Sequence, residues 1–138
     1  MATIASLEPV VVNVSPKTNW TFVAVTLSDG ATGWGECSLN GWEPLLVAQA
    51  RMLEADARGR DAADVGDLVR YLPHSPGGLV AHAVKSAAEQ ALTDLRARAA
   101  GKSIALLLAD ASRAAVPAYA IIIRMRSRWT IIIASKPD

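Results

Sequence analysis

The chain has 138 residues with 51% apolar content, enough for one compact domain with its own core. Fourteen basic residues against thirteen acidic ones leave a net charge of +1. That balance gives no bulk electrostatic reason to bind nucleic acid or an anionic membrane, so small organic ligands or protein partners are the default.

Cys37 is the lone cysteine and has no internal partner for a disulfide. The N-terminus lacks a basic n-region, and no apolar run reaches the roughly 20 residues that span a bilayer. The expectation is a soluble, cytoplasmic protein.

The first third reads as antiparallel sheet. "EPVVVNV" (8–14) is β-branched and runs into "SPKTN", whose Ser, Pro and Asn favour a turn or loop. "WTFVAVTL" (20–27) alternates Trp20, Phe22, Ala24 and Thr26 on one face with Thr21, Val23, Val25 and Leu27 on the other. Asp29-Gly30 then predicts a hairpin with a tight primed turn. In the returning strand "ATGWGECS" (31–38), Gly33 and Gly35 alternate with Trp34 and Glu36, leaving one face bare. A bare face admits close approach of another backbone or a helix.

Helices come next. Pro44 suits a first turn, and "EPLLVAQARMLEADARG" spaces Leu45, Ala48, Met52 and Ala55 helically before Gly59. Asp61 is a candidate cap for a second helix, "AADVGDLVRYL", which Pro73 would end. From Leu79 to Ala100 the pattern predicts the longest helix, with Ala83, Ala87, Ala88, Ala91, Leu92 and Leu95 as a small-residue stripe suited to close packing. Gly101 fits its stop, and "KSIALLLAD" supplies one more short helix. Strands first and helices after give an α+β class: a three-stranded antiparallel meander followed by a helical bundle. After Pro117 two Ile triplets flank a segment with Arg124, Arg126 and Arg128, a pattern of buried strand that needs covering.

No catalytic constellation emerges from the residues themselves. His74 and His82 lack the further ligands that a metal site needs, so no metal-binding residue is assigned. "GKS" at 101–103 is not a phosphate-binding loop, because Arg96 stands at the required upstream glycine position and no strand precedes it. Glu89 and Asp94 near Lys85 and Arg98 read as a solvated helix face. In "TGWGECS", Glu36 is either a buried acid or a loop anchor, and Cys37 either a small core residue or a reactive thiol. Lys17, Asn19 and Trp20 lie between the first two strands, and Leu39, Asn40 and Trp42 after the third. Two polar and aromatic loops from neighbouring strand ends are placed to close over a ligand.

Together, "TFVAVTLSDGATGWGECS" and "AVKSAAEQALTDLRARAAGKSIALLLADASRAAVPAYA" resemble the N-terminal capping domain of the mandelate racemase and muconate lactonizing enzyme family, in the enolase superfamily. The resemblance covers roughly 8–120; Ala109-Asp110 departs from the glycines that many members carry after the double leucine. It implies an enolase N-terminal-domain-like fold over 1–115. Residues 116–138 would be the start of a (β/α) barrel, with its first strand at the C-terminal end.

The chemistry implied is Mg²⁺-assisted removal of a proton α to a carboxylate, with acid-sugar dehydration foremost and racemisation or cycloisomerisation as alternatives. Metal ligands and acid/base residues would sit on barrel strands beyond Ala120, so the chain alone is expected to be inactive. What carries over is a lip that helps select the small carboxylate substrate. Its matching stretches are Ser15 to Trp20 and Ser38 to Glu43, with Lys17, Asn19, Trp20, Asn40 and Trp42 as the substrate-binding candidates. The parent would be a homo-oligomer. Two rival readings need no barrel: a non-enzymatic module that self-associates through its Ile-rich tail, and a small-molecule binding domain with its pocket between the two loops.

Overall fold

The computed structural model describes residues 2–64 and 77–109 and, as backbone, 123–125 and 128–130. Strands β1 (Ile4–Ser15), β2 (Thr18–Leu27) and β3 (Thr32–Glu36) form one antiparallel sheet in the order β1-β2-β3. Helix α1 (Glu43–Ala57), a 3₁₀ turn (Ala62–Asp64), the long α2 (Leu79–Ala99) and the short α3 (Ile104–Leu108) follow. The meander-then-helices order is the one the sequence predicts.

The sheet differs from the sequence reading in two details. β1 begins at Ile4, and its connection to β2 is Pro16-Lys17 alone, so Asn19 and Trp20 belong to a strand and not to a loop. The β2–β3 hairpin forms, but not through a primed turn. Among the described residues every one with positive φ is a glycine, so Asp29 keeps a negative value while Gly30 takes +87°. Gly30 N–H donates to the Leu27 carbonyl and Leu27 N–H to that of Ala31, both at 2.9 Å. The loop is therefore three residues long, a turn closed by a left-handed glycine.

Alternation along β2 turns Thr21, Val23 and Val25 into the core. There they meet Ile4 and Leu7 of β1, Leu46 and Leu53 of α1, and Val84 and Leu92 of α2. Gly33 and Gly35 are directed at α2 as well. A methyl group on either would lie closer than 3.0 Å to backbone atoms, at the Ala91 carbonyl for Gly33 and the Ala87 carbonyl for Gly35. The bare strand face and the alanine stripe are thus two halves of one seam, in which backbone packs on backbone.

Polar clips close the seam's edge. Gln90 Oε1 accepts from Glu36 N–H at 3.2 Å and its Nε2 donates to the Glu36 carbonyl at 3.3 Å, satisfying an edge strand from a helix side chain. Arg98 donates to Asp94 at 2.8 Å and also to the Thr32 carbonyl. Asp94 and Arg98 therefore do more than decorate a solvated face, since Arg98 ties α2 to β3.

The buried stripe of α1 is rotated from the expected one. Leu46, Gln49, Ala50, Leu53 and Ala57 are buried, whereas Leu45 and Met52 are 54% and 49% exposed. Asp61 does act as a cap, accepting Ala63 N–H at 2.9 Å, but the element it opens within the described residues is the 3₁₀ turn. The rest of the expected second helix, His74, the 115/116 boundary and the expected first barrel strand lie outside the described residues. In the tail, β4 (Ile123–Met125) pairs antiparallel with β5 (Arg128–Thr130).

Candidate functional site

The β1–β2 hairpin approaches the segment between β3 and α1, the two stretches expected from sequence to form a lip. Lys17 sits at the hairpin tip, its N–H donating to Ser15 Oγ at 3.2 Å. Asn19 and Trp20 are successive residues of β2, so their side chains leave on opposite faces of the sheet. Trp20 lies on the outer face, 47% exposed, opposite Val12 and edge-on to Phe22 with ring centroids 6.4 Å apart. Asn19 lies on the face shared with Thr21 and reaches Glu43.

Glu43 begins α1. Its Oε1 accepts from Asn19 Nδ2 at 3.3 Å and from Gly41 N–H at 3.0 Å. Its own backbone N–H and that of Gly41 hold the carboxyl below its ordinary value against desolvation, and the Asn19 amide adds a smaller lowering. An acid in a helix's first turn also faces the positive end of the backbone dipoles. Trp42 is the N-cap of α1: its N–H donates to the Leu39 carbonyl at 2.9 Å, and its carbonyl accepts the N–H groups of Leu45 and Leu46. Its indole remains 48% exposed.

Lower in the same strand ends the joints are tighter. Thr21 N–H donates to Ser38 Oγ at 3.0 Å, Ser38 Oγ–H to Glu36 Oε1 at 2.7 Å, and Cys37 N–H to the Thr21 carbonyl at 2.9 Å. These bonds settle the alternatives for the motif. Glu36 is exposed and anchors the loop through Ser38. Cys37 is a core residue, 5% exposed, its thiol pushed up to about 11 by burial and by the neighbouring Glu36. Ser103 of "GKS" caps α3, accepting Leu106 N–H at 3.3 Å.

Of the five sequence candidates, Asn19 is joined to the segment that carries Asn40 and Trp42. Lys17 and Asn40 are exposed, and among the described residues their side chains form no hydrogen bond or ion pair. Trp20 faces away from the Asn19–Glu43 link. Glu43 is the residue sequence reasoning missed as a site member. The available signal was a carboxylate beside Pro44 at a helix start, within the stretch that reads as lip.

Comparison with known proteins bears on the family and the fold. The profile described as "Mandelate racemase / muconate lactonizing enzyme, N-terminal domain" matches residues 2–109. A D-mannonate dehydratase of Caulobacter sp. (strain K31) is 33% identical over 118 residues, 82% of this chain and 29% of that protein. A D-galactonate dehydratase family member of Pseudarthrobacter chlorophenolicus is 33% identical over 109 residues, 76% of this chain and 27% of its own length. Among solved structures, a mandelate racemase/muconate lactonizing protein from Paracoccus denitrificans PD1222, complexed with magnesium, superposes with a TM-score of 0.70 at 32% identity, covering 85% of this chain and 33% of that one.

A three-stranded antiparallel sheet followed and backed by helices defines an enolase-type capping domain. The chain belongs to the mandelate racemase/muconate lactonizing enzyme family, whose N-terminal domain it provides. It spans less than a third of the length of these two curated dehydratase relatives.

Proposed function

We propose that this chain is the substrate-facing cap of an acid-sugar dehydratase. In that reading its lip closes over a (β/α) barrel of the parent protein, where water is lost from a sugar acid after removal of the proton α to the carboxylate. The observation that carries the proposal is the joining of the hairpin and the β3–α1 segment through Asn19 and Glu43, in a family whose similar members are named D-mannonate and D-galactonate dehydratases.

Among the described residues no three His, Cys, Asp or Glu side chains come together. Those residues therefore offer no cluster to hold magnesium, and no step through a metal is derived from them. Mg²⁺ and the acid/base groups would belong to the barrel. The cap's own work is to exclude water and to shape the mouth, with Lys17 and Asn40 offering polar contacts and Trp42 an aromatic wall. Lys17 in particular would attract an anionic substrate. The parent would work in the cytoplasm as a homo-oligomer, and the isolated chain would be inactive.

The test is turnover by the full-length protein, with Mg²⁺, of a panel of sugar acids that includes D-mannonate and D-galactonate. Formation of a 2-keto-3-deoxy acid is the expected result. Exchange of the α proton or interconversion of isomers without loss of water would replace dehydratase by racemase, and cyclisation would point to a cycloisomerase. Trp42→Ala is expected to raise KM for the preferred acid by about tenfold, the worth of one well-packed aromatic contact.

A further inference from the structure

We propose that Glu43 is a positioning residue that clasps the two halves of the lip into one unit and thereby sets how Trp42 and Asn40 are presented. The inference rests on the reading of the lip as substrate-facing.

Hydrogen-bond logic fixes the direction of the clasp. An ionised carboxylate accepts and does not donate, so Asn19 presents its NH₂ to Glu43 and keeps its oxygen free. That oxygen is taken by Asn13, its partner across the β1–β2 ladder, whose Nδ2 donates to Asn19 Oδ1 at 2.8 Å and to the Ser15 carbonyl at 3.0 Å. The chain of bonds therefore runs from the hairpin end (Ser15, Asn13) through the Asn19 amide to Glu43 Oε1. From there it reaches Gly41 N–H, between the two lip candidates Asn40 and Trp42.

Each member has one orientation that satisfies its neighbours, which is how a short polar network selects a single loop geometry. The carboxyl is held below its usual range, so it stays charged at neutral pH and the bonds it accepts are charge-assisted. Without this link the two segments would be joined, among the described residues, through the deeper pair of bonds that Thr21 makes with Ser38 Oγ and Cys37 N–H.

The experiment compares Asn19→Asp, Glu43→Ala and Glu43→Gln. Asp is isosteric with Asn but brings a second acceptor to Glu43, whereas Gln keeps an oxygen that can accept from both Asn19 and Gly41. In the 138-residue chain, Asn19→Asp and Glu43→Ala are expected to speed hydrogen exchange at Gly41 N–H by about tenfold while exchange in the core of β2 stays unchanged. Glu43→Gln should stay near the parent rate. In the full-length enzyme the first two should raise KM by about tenfold with kcat within about twofold, and Glu43→Gln should restore most of the loss.

Unchanged exchange at Gly41 in both disrupting variants overturns the clasp itself, whatever the enzyme does. Faster exchange with an unchanged KM would leave a clasp that presents nothing to substrate, and would overturn both the positioning role and the substrate-facing reading of the lip.

Discussion

Two parts of this domain are held together in opposite ways. At the seam of β3 on α2, Gly33 and Gly35 meet the backbone at Ala91 and Ala87 with no room for a methyl group. The fit is fixed by shape, over an apolar surface closed to water. At the lip, the hairpin tip and the β3–α1 segment are joined by a few hydrogen bonds around Glu43, and the side chains beside them stand in solvent. The seam makes the lip's position reproducible, because β3 leads directly into it. The lip can therefore vary Lys17, Asn40 or Trp42 without disturbing the packing beneath. Exposed polar and aromatic side chains thus stand where substitutions cost little stability, and the packing stands where substitutions have no room.

The sharpest way to break that contrast is Gly35→Ala. The added methyl meets backbone and not the end of a flexible side chain, so β3 or α2 must shift bodily. A loss upward of about 3 kcal/mol is expected in urea unfolding, and a loss under about 1 kcal/mol would show that the seam has slack.

Next in size is a paired test on α1, where Leu45 and Leu46 are neighbours with opposite fates. Leu46→Ala empties a fully buried site and should cost about 2–5 kcal/mol, while Leu45→Ala should stay within about 0.5 kcal/mol. A larger loss at Leu45 than at Leu46 would return the helix to the register expected from sequence.

That register error shows what sequence could and could not supply. A strand face without side chains at two successive positions is a period-2 signal that survives without any tertiary knowledge, and so the Gly33/Gly35 seam was legible together with the alanine stripe of α2. In α1 apolar residues stand side by side at Leu45-Leu46-Val47 and at Met52-Leu53, so periodicity alone left two candidate faces. The choice between them was made by the sheet. At the lip, composition marked the polar and aromatic residues, but Pro16 suggested a longer loop than the two residues observed. Asn19 and Trp20 were therefore grouped, although a strand sends them to opposite faces. The Asn19–Glu43 bond spans 24 positions in sequence, and no local pattern announces it.

Cys37 provides a third comparison, between a core thiol and the exposed segment that comes after it. Its folded value of about 11 lies above the ordinary value of 9.0, so between these the native state keeps a proton that the unfolded state has lost. The resulting contribution to stability is complete below pH 9.0 and is lost as pH rises towards about 11. The loss over that interval is expected to be at most about 3 kcal/mol, and Cys37→Ala should flatten this part of the pH dependence. Below pH 9.0 a disulfide reagent should label the thiol slowly in the native protein and rapidly in urea. Rapid native labelling would move Cys37 out of the core.

Among the buried positions the smallest effect is expected at Thr21, whose backbone bonds to Ser38 and Cys37 while its side chain is buried. Its backbone serves the lip side, donating to Ser38 Oγ and accepting from Cys37 N–H. Its side chain points into the core with Val23 and Val25, and there its hydroxyl is buried with no hydrogen-bond partner among the described residues. An unsatisfied buried hydroxyl costs free energy that a methyl group of the same shape does not, and valine keeps the β-branching that suits the strand. Thr21→Val is thus expected to raise stability by about 1 kcal/mol while leaving exchange at Gly41 unchanged. A loss of stability would mean that the hydroxyl finds an acceptor in solution. In that case the boundary between shape-fixed packing and polar joinery lies one residue deeper in β2.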